Sequence, residues 1–123
     1  MTYAYILGGA IIGAPLRYFL QGRVQELSGT TFPWGTLAVN VTGCLAIGLL
    51  ATLAEDRDLL GREGRLFLLV GFLGSYTTFS AYGWETHSLL RDNDIVRAAG
   101  YVALSTVVGL LSVWAGSVLA RVA

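Results

Sequence analysis

Gly71-Phe72-Leu73-Gly74-Ser75-Tyr76-Thr77-Thr78-Phe79-Ser80 places small, polar and β-branched residues in the middle of an otherwise apolar stretch, residues 66–90. A helix crossing a bilayer has its least tolerance for such residues at that point. Irregular backbone at membrane depth survives only where protein or a water-filled cavity receives its polar groups. The stretch therefore predicts a helix broken at mid-membrane, with 66–72 and 81–90 as half-length apolar segments on either side. Breaks of this kind mark ion or substrate sites.

The rest of the chain fits that setting. With 54% hydrophobic and 13% charged residues among 123, and a mean hydropathy of +0.64, it is too apolar for an ordinary soluble domain. Spanning hydrocarbon takes about 20 mostly apolar residues per helix, and four segments qualify: 3–20, 33–54, 66–90 and 96–122. The connecting pieces, Ser28-Gly29-Thr30-Thr31, Glu55-Asp56-Arg57-Asp58 and Arg91-Asp92-Asn93-Asp94, are turn-like and leave no room for a soluble domain. The expected fold is all-α and integral to the membrane, one domain over residues 1–123 with four transmembrane helices, the third broken. The amino terminus lacks a basic region and a small-residue cleavage site, so its first apolar segment is expected to remain as a helix. Cys44, the single cysteine, reads as a small packing residue.

Charge placement bears on assembly. Four spans put Arg57, Arg62, Arg65 and Arg121 on one side and Arg23, Arg91 and Arg97, joined by Arg17, on the other, with no lysine anywhere. Insertion directed by positive charge then has almost no preferred direction. Both orientations are expected, and two oppositely oriented copies can form an antiparallel homodimer about an axis in the membrane plane; the alternative is a single, weakly biased topology.

Within the helices, Gly9 and Gly13 have the four-residue spacing that lets helices approach closely. Pro15 is expected to bend the first helix just before Arg17, which either snorkels to the interface or lines an aqueous vestibule. Pro33 suits a first-turn position in the second helix, and Trp34 suits the headgroup level. Asn40 lies roughly 10 Å deeper at 1.5 Å per residue, on rows shared with Thr36, Gly43, Cys44 and Ile47. A buried amide is either interhelical glue or part of a wet path. Beyond the break, Phe79 and Tyr82 share a face, a pattern that ordinary packing also produces. Glu85 is the only acid well inside an apolar span, which makes it a functional candidate that could also sit in a wet mouth. His87 has no second His or Cys at ligand spacing and reads as interfacial. On the fourth helix, Tyr101, Ser105, Gly109, Ser112 and Gly116 form a small and hydroxyl-bearing stripe, although serines in membranes often bond their own preceding turn.

The chain carries no carboxylate pair, metal-ligand cluster, nucleophilic triad or phosphate loop, so it is not expected to be an enzyme, and no nucleic acid is expected as a partner. The apolar spans instead offer neutral donors: the Asn40 amide, the hydroxyls of Thr77, Thr78, Ser80, Ser105 and Ser112, and the phenols of Tyr82 and Tyr101. With the electropositive edges of aromatic rings, such donors can replace the hydration shell of a compact anion. Unwound carbonyls at the break suit a small hard cation such as Na⁺.

These residues carry a resemblance. Gly8-Gly9 with Gly13-Ala14 and Arg17-Tyr18, Gly35-Thr36-Leu37 with Val39-Asn40 and Gly43, and Gly71-Phe72-Leu73-Gly74 followed by Thr77-Thr78-Phe79-Ser80 resemble the Fluc (CrcB) family of fluoride channels across all four spans. The resemblance implies a multi-pass protein of the cell (inner, plasma) membrane that lets cytoplasmic fluoride leave passively. It also implies an antiparallel, dual-topology homodimer with two fluoride pores. A structural Na⁺ would sit at the dimer centre on the carbonyls of Gly74 and Thr77. Asn40, Phe79 and Tyr82 would line the pore with Thr78 and Ser80, Tyr101, Ser105 and Ser112 would form a polar track, and Arg17 and Glu85 would belong to the vestibule. Two positions depart from the family pattern: Tyr82 stands where a phenylalanine is usual, and Gly109 where the track can have a serine. A small multidrug exporter would share the length and the dimer, yet needs a carboxylate deep in the first helix, and 3–20 contains none. A non-transporting assembly factor would leave the break and the buried donors without a purpose.

Overall fold

A computed structural model describes residues 1–123, and all of its regular secondary structure is helical. Helix α1 (Thr2–Ser28) continues two turns beyond the apolar segment and ends at Gly29, whose φ of 64° needs no side chain. The added turns are polar, with Arg23 paired to Glu26 at 3.2 Å along one face, and Pro15 lies inside the helix without interrupting it. Helix α2 (Trp34–Arg57) starts one residue after Pro33, so the proline precedes the first turn instead of occupying it. Gln25 closes the corner: its Nε2 donates to the carbonyls of Thr30 and Phe32, both at 2.9 Å, and its Oε1 accepts from Gly35 N at 3.1 Å. That contact supplies an acceptor for an otherwise orphaned N–H of the helix start.

Helix α3 (61–76) is composite: an α-turn Gly61–Gly64, a π-helical run Arg65–Leu73, and a final α-turn Gly74–Tyr76. Helices α4 (Phe79–Arg91) and α5 (Ile95–Val122) begin at side-chain caps, Thr78 accepting from Ala81 N at 3.2 Å and Asp94 from Arg97 N at 3.3 Å. Taking Gly61–Arg91 as one interrupted unit, four helices are long and apolar enough to cross a membrane. The break is narrower than the ten-residue stretch suggests. Only Thr77 (φ −91°, ψ 159°) and Thr78 (φ −147°, ψ 118°) are extended, because helical hydrogen bonding persists through Tyr76 and a threonine cap restarts it at Phe79.

Only 19 of 123 residues are buried, while Leu7, Ile11, Phe19, Val107, Leu110 and Leu111 face outward. Lipid-facing apolar surface explains both facts, and packing among the helices then rests on close contact instead of exclusion of water. Glycines provide that contact. Gly9 and Gly13 of α1 lie directly against the backbone of Phe67 and Phe72 in α3, and Gly48 of α2 and Gly116 of α5 lie against the opposite backbone at Val113 and Leu45. Two small cores fill the remainder: Leu37, Leu89, Ala98 and Tyr101 on one side of the break, and Val39, Leu73 and Tyr76 on the other. At Gly48 a side chain would collide with the Val113 backbone, which cannot rotate away. Gly48→Leu is expected to cost about 3 kcal/mol, seen as early thermal unfolding and loss of a monodisperse peak in detergent; an unchanged melting curve would contradict this helix contact.

Candidate functional site

The break is held from α2. Asn40 sits opposite Thr78 and clamps its backbone in both directions, Nδ2 donating to Thr78 O at 2.9 Å and Oδ1 accepting from Thr78 N at 2.8 Å. This is interhelical glue, but it uses only one of the two amide hydrogens. The second Asn40 hydrogen lies beside a groove of about 340 Å³ shared with Cys44, Gly74, Thr77, Thr78 and Phe79. Thr77 N keeps the ordinary helical bond to Leu73 O, but two amides beyond it that would reach backward on a continuous helix are diverted, Thr78 N to Asn40 and Ala81 N to the Thr78 hydroxyl. Those diversions leave the carbonyls of Gly74 and Thr77 without their usual helical donors, and both residues line the groove.

The same end of α3 is also tied to α1. Arg17 Nε donates to Ser75 O at 3.0 Å, so the guanidinium caps the carbonyl end of the half-helix, where a cation is favoured. Arg17 also lines a cleft of about 700 Å³ together with Gln21, Thr36, Trp84 and Glu85. The two side chains assigned to a vestibule from sequence thus share one cavity. Within it Gln21 Nε2 donates to Thr36 Oγ1 at 2.9 Å, and the Thr36 hydroxyl donates to Glu85 Oε1 at 2.6 Å. Thr36 is 1% exposed and, apart from the phenols of Tyr76 and Tyr101, carries the only polar side chain among the buried residues. Further out on α4, the His87 ring lies 5.6 Å from that of Trp84, and both are exposed.

Aromatic rings link the groove to the interior. Phe79, 82% exposed on the chain's surface, lies 5.5 Å from Tyr82, which lies 5.2 Å from the buried Tyr101. Tyr101 Oη, which lies beside Thr36 and Glu85, and Ser105 Oγ, one turn apart on α5, are buried and make no well-formed hydrogen bond. An unpaired buried hydroxyl costs about 1–3 kcal/mol, so two in succession point to something that completes them.

The remaining hydroxyls are engaged. Ser112 donates its only hydrogen to Val108 O at 2.7 Å and Thr77 donates to Leu73 O at 3.0 Å. Thr78 caps α4, and Ser80, exposed, lies 3.5 Å from it. Ser112 is thereby in the back-bonded state, unlike Ser105. At Gly109, a Cβ would stand 3.6 Å from Cys44 Sγ, so the thiol occupies the side of the stripe where a hydroxyl is missing.

Two residues escaped the sequence reading. Gln21 lies just beyond the apolar segment 3–20, and its position became meaningful only once α1 extended to Ser28. Thr36 was placed on the row of Asn40 but given no task; its signal was its place one residue after Gly35, a glycine that lets α1 and α2 touch.

Comparison with known proteins follows the same outline. The model of the family described as CrcB-like protein, Camphor Resistance (CrcB), matches residues 4–117. A protein of Methylocella silvestris named fluoride-specific ion channel FluC is 42% identical over 98% of this chain and 93% of its own length. Proteins of the same name from Opitutus terrae and Trichormus variabilis are each 48% identical, over 96% and 92% of this chain and 91% and 83% of theirs.

Proposed function

Because this chain belongs to the CrcB-like family, we propose that it is a fluoride-specific channel through which cytoplasmic fluoride leaves passively across the cell membrane. The observation that carries the reading is the pair of unpartnered hydroxyls, Tyr101 Oη and Ser105 Oγ, buried beside the aromatic rings that lead to Phe79. They are neutral donors with a hydrogen to give, and a small anion accepts such hydrogens without the deep trap that a buried cation would create. The break adds a directional field, since the N-terminal end of α4 carries partial positive charge and faces the groove beside Asn40.

The working unit in this proposal is an antiparallel homodimer. Phe79, Gly74 and Thr77 lie on the outer face of one chain, and a second copy would cover them. The freed carbonyls of Gly74 and Thr77 are hard oxygen ligands of the kind that Na⁺ takes. Two copies would supply twice as many, which fits a structural Na⁺ at the dimer axis.

The test is fluoride efflux from liposomes holding the purified chain, with a K⁺ ionophore to dissipate charge and chloride as control. Rapid fluoride release without chloride release supports the proposal; release of neither ion from well-reconstituted dimers refutes it. A substitution separates pore from scaffold. Tyr101→Phe removes a hydroxyl that makes no well-formed hydrogen bond, so stability should hold within about 1 kcal/mol while fluoride flux falls severalfold. Lower stability with unchanged flux would mean that the hydroxyl serves packing alone.

A further inference from the structure

The polar chain in the 700 Å³ cleft runs in one direction. Gln21 Nε2 has only hydrogens to offer, so Thr36 Oγ1 receives one of them, and toward an ionised Glu85, which can only accept, it gives its own single hydrogen. Both distances, 2.9 and 2.6 Å, are those of well-formed hydrogen bonds. The direction matters because a threonine hydroxyl on a helix has an alternative, the backbone carbonyl one turn earlier. Taking up that alternative would leave Glu85 without its donor. Gln21 is brought here by backbone geometry: Gly35 lies directly against the Gln21 carbonyl, which leaves the Gln21 side chain beside Thr36.

We infer that Gln21 is a positioning residue of the ion pathway, which acts through Thr36 to hold Glu85 as a hydrogen-bond acceptor in one orientation at the wall of the cleft. It touches no permeating ion and lies on α1 one turn beyond Arg17, just past the apolar segment 3–20. The flux effect rests on the fluoride-channel reading; the hydrogen-bond direction does not.

The test uses the full chain with Gln21→Met, which keeps length and flexibility but has no N–H. Fluoride efflux is read in native and Thr36→Val backgrounds, and the Glu85 carboxylate stretch is read by infrared difference against Glu85→Gln. Loss of one such hydrogen bond is expected to slow efflux about fivefold and to shift the Glu85 band in the native background. With Val at 36, Gln21→Met should change neither rate nor band, because the link to Glu85 is already cut. An unchanged rate and band in the native background would overturn the inference, as would equal slowing in both backgrounds, which would assign Gln21 to packing. If the native protein passes no fluoride, the channel reading fails, and the band then decides alone: a shift that depends on Thr36 supports the relay and no shift overturns it.

Discussion

Asn40→Asp is expected to reduce fluoride conduction by roughly a hundredfold while the dimer still assembles. The change replaces one N–H₂ group by a carboxylate oxygen at a position 2.9 Å from Thr78 O. A hydrogen bond becomes a contact between two acceptors, and a negative charge enters the groove where an anion is proposed to pass. Losing a buried partner costs about 1–3 kcal/mol, and each 1.4 kcal/mol is tenfold in rate or affinity, before any repulsion of the ion is added. The Oδ1 acceptor for Thr78 N is retained, so the break keeps half of its clamp. Efflux from liposomes, normalised to the amount of dimer recovered, measures the effect. Flux within a factor of three of native would remove Asn40 from the pathway.

The second large effect is expected at Gly74. Inside one chain, a side chain there meets nothing closer than Leu69 O at 3.9 Å, and the backbone is helical with φ −62° and ψ −31°. Gly74→Leu should therefore leave the folded protomer intact by circular dichroism. On the proposed dimer axis the same side chain would strike the partner and displace the carbonyls assigned to Na⁺. Dimer is then expected to fall at least tenfold relative to monomer in detergent, with fluoride efflux lost in parallel. A Gly74→Leu protein that dimerises and conducts normally would mean that this groove is not the subunit interface. The contrast with Gly48, where the obstacle lies in the same chain, separates a folding glycine from an assembly glycine.

Much of this was legible in the residues themselves. Four apolar segments in a chain this short leave one architecture, and polar residues stand out where lipid makes them costly. Asn40, Glu85 and Arg17 were visible for that reason, and the structure places Arg17 and Glu85 on one cleft and Asn40 on the break. The ten-residue polar stretch marked the third helix as interrupted without saying where. Its outcome depended on Asn40, 38 residues away in sequence, drawing Thr78 N and O to itself. Pro15, expected to bend α1, does not interrupt it; a single missing N–H leaves the neighbouring turns free to hold the backbone. The π-helical run Arg65–Leu73 had no signal in the sequence. Such wide turns are usually short and local, and this one forms where Gly71 meets Ile6 and Gly9 on α1.

The hydroxyl stripe on α5 shows the division most directly. Sequence spacing put Ser105 and Ser112 on the same footing, since both are serines at helical intervals on one stripe. Only the packed structure separates them: Ser112 bonds the carbonyl of Val108, while Ser105 and Tyr101 are enclosed without a partner. The sequence by itself determined that the chain crosses the membrane four times, that its helices pack through glycine, and that the third is interrupted. Those follow from local composition and transfer free energy. Tertiary structure alone decided where the interruption falls, which donors are spent and which remain, and that Gln21 joins the cleft, because each depends on which distant groups meet.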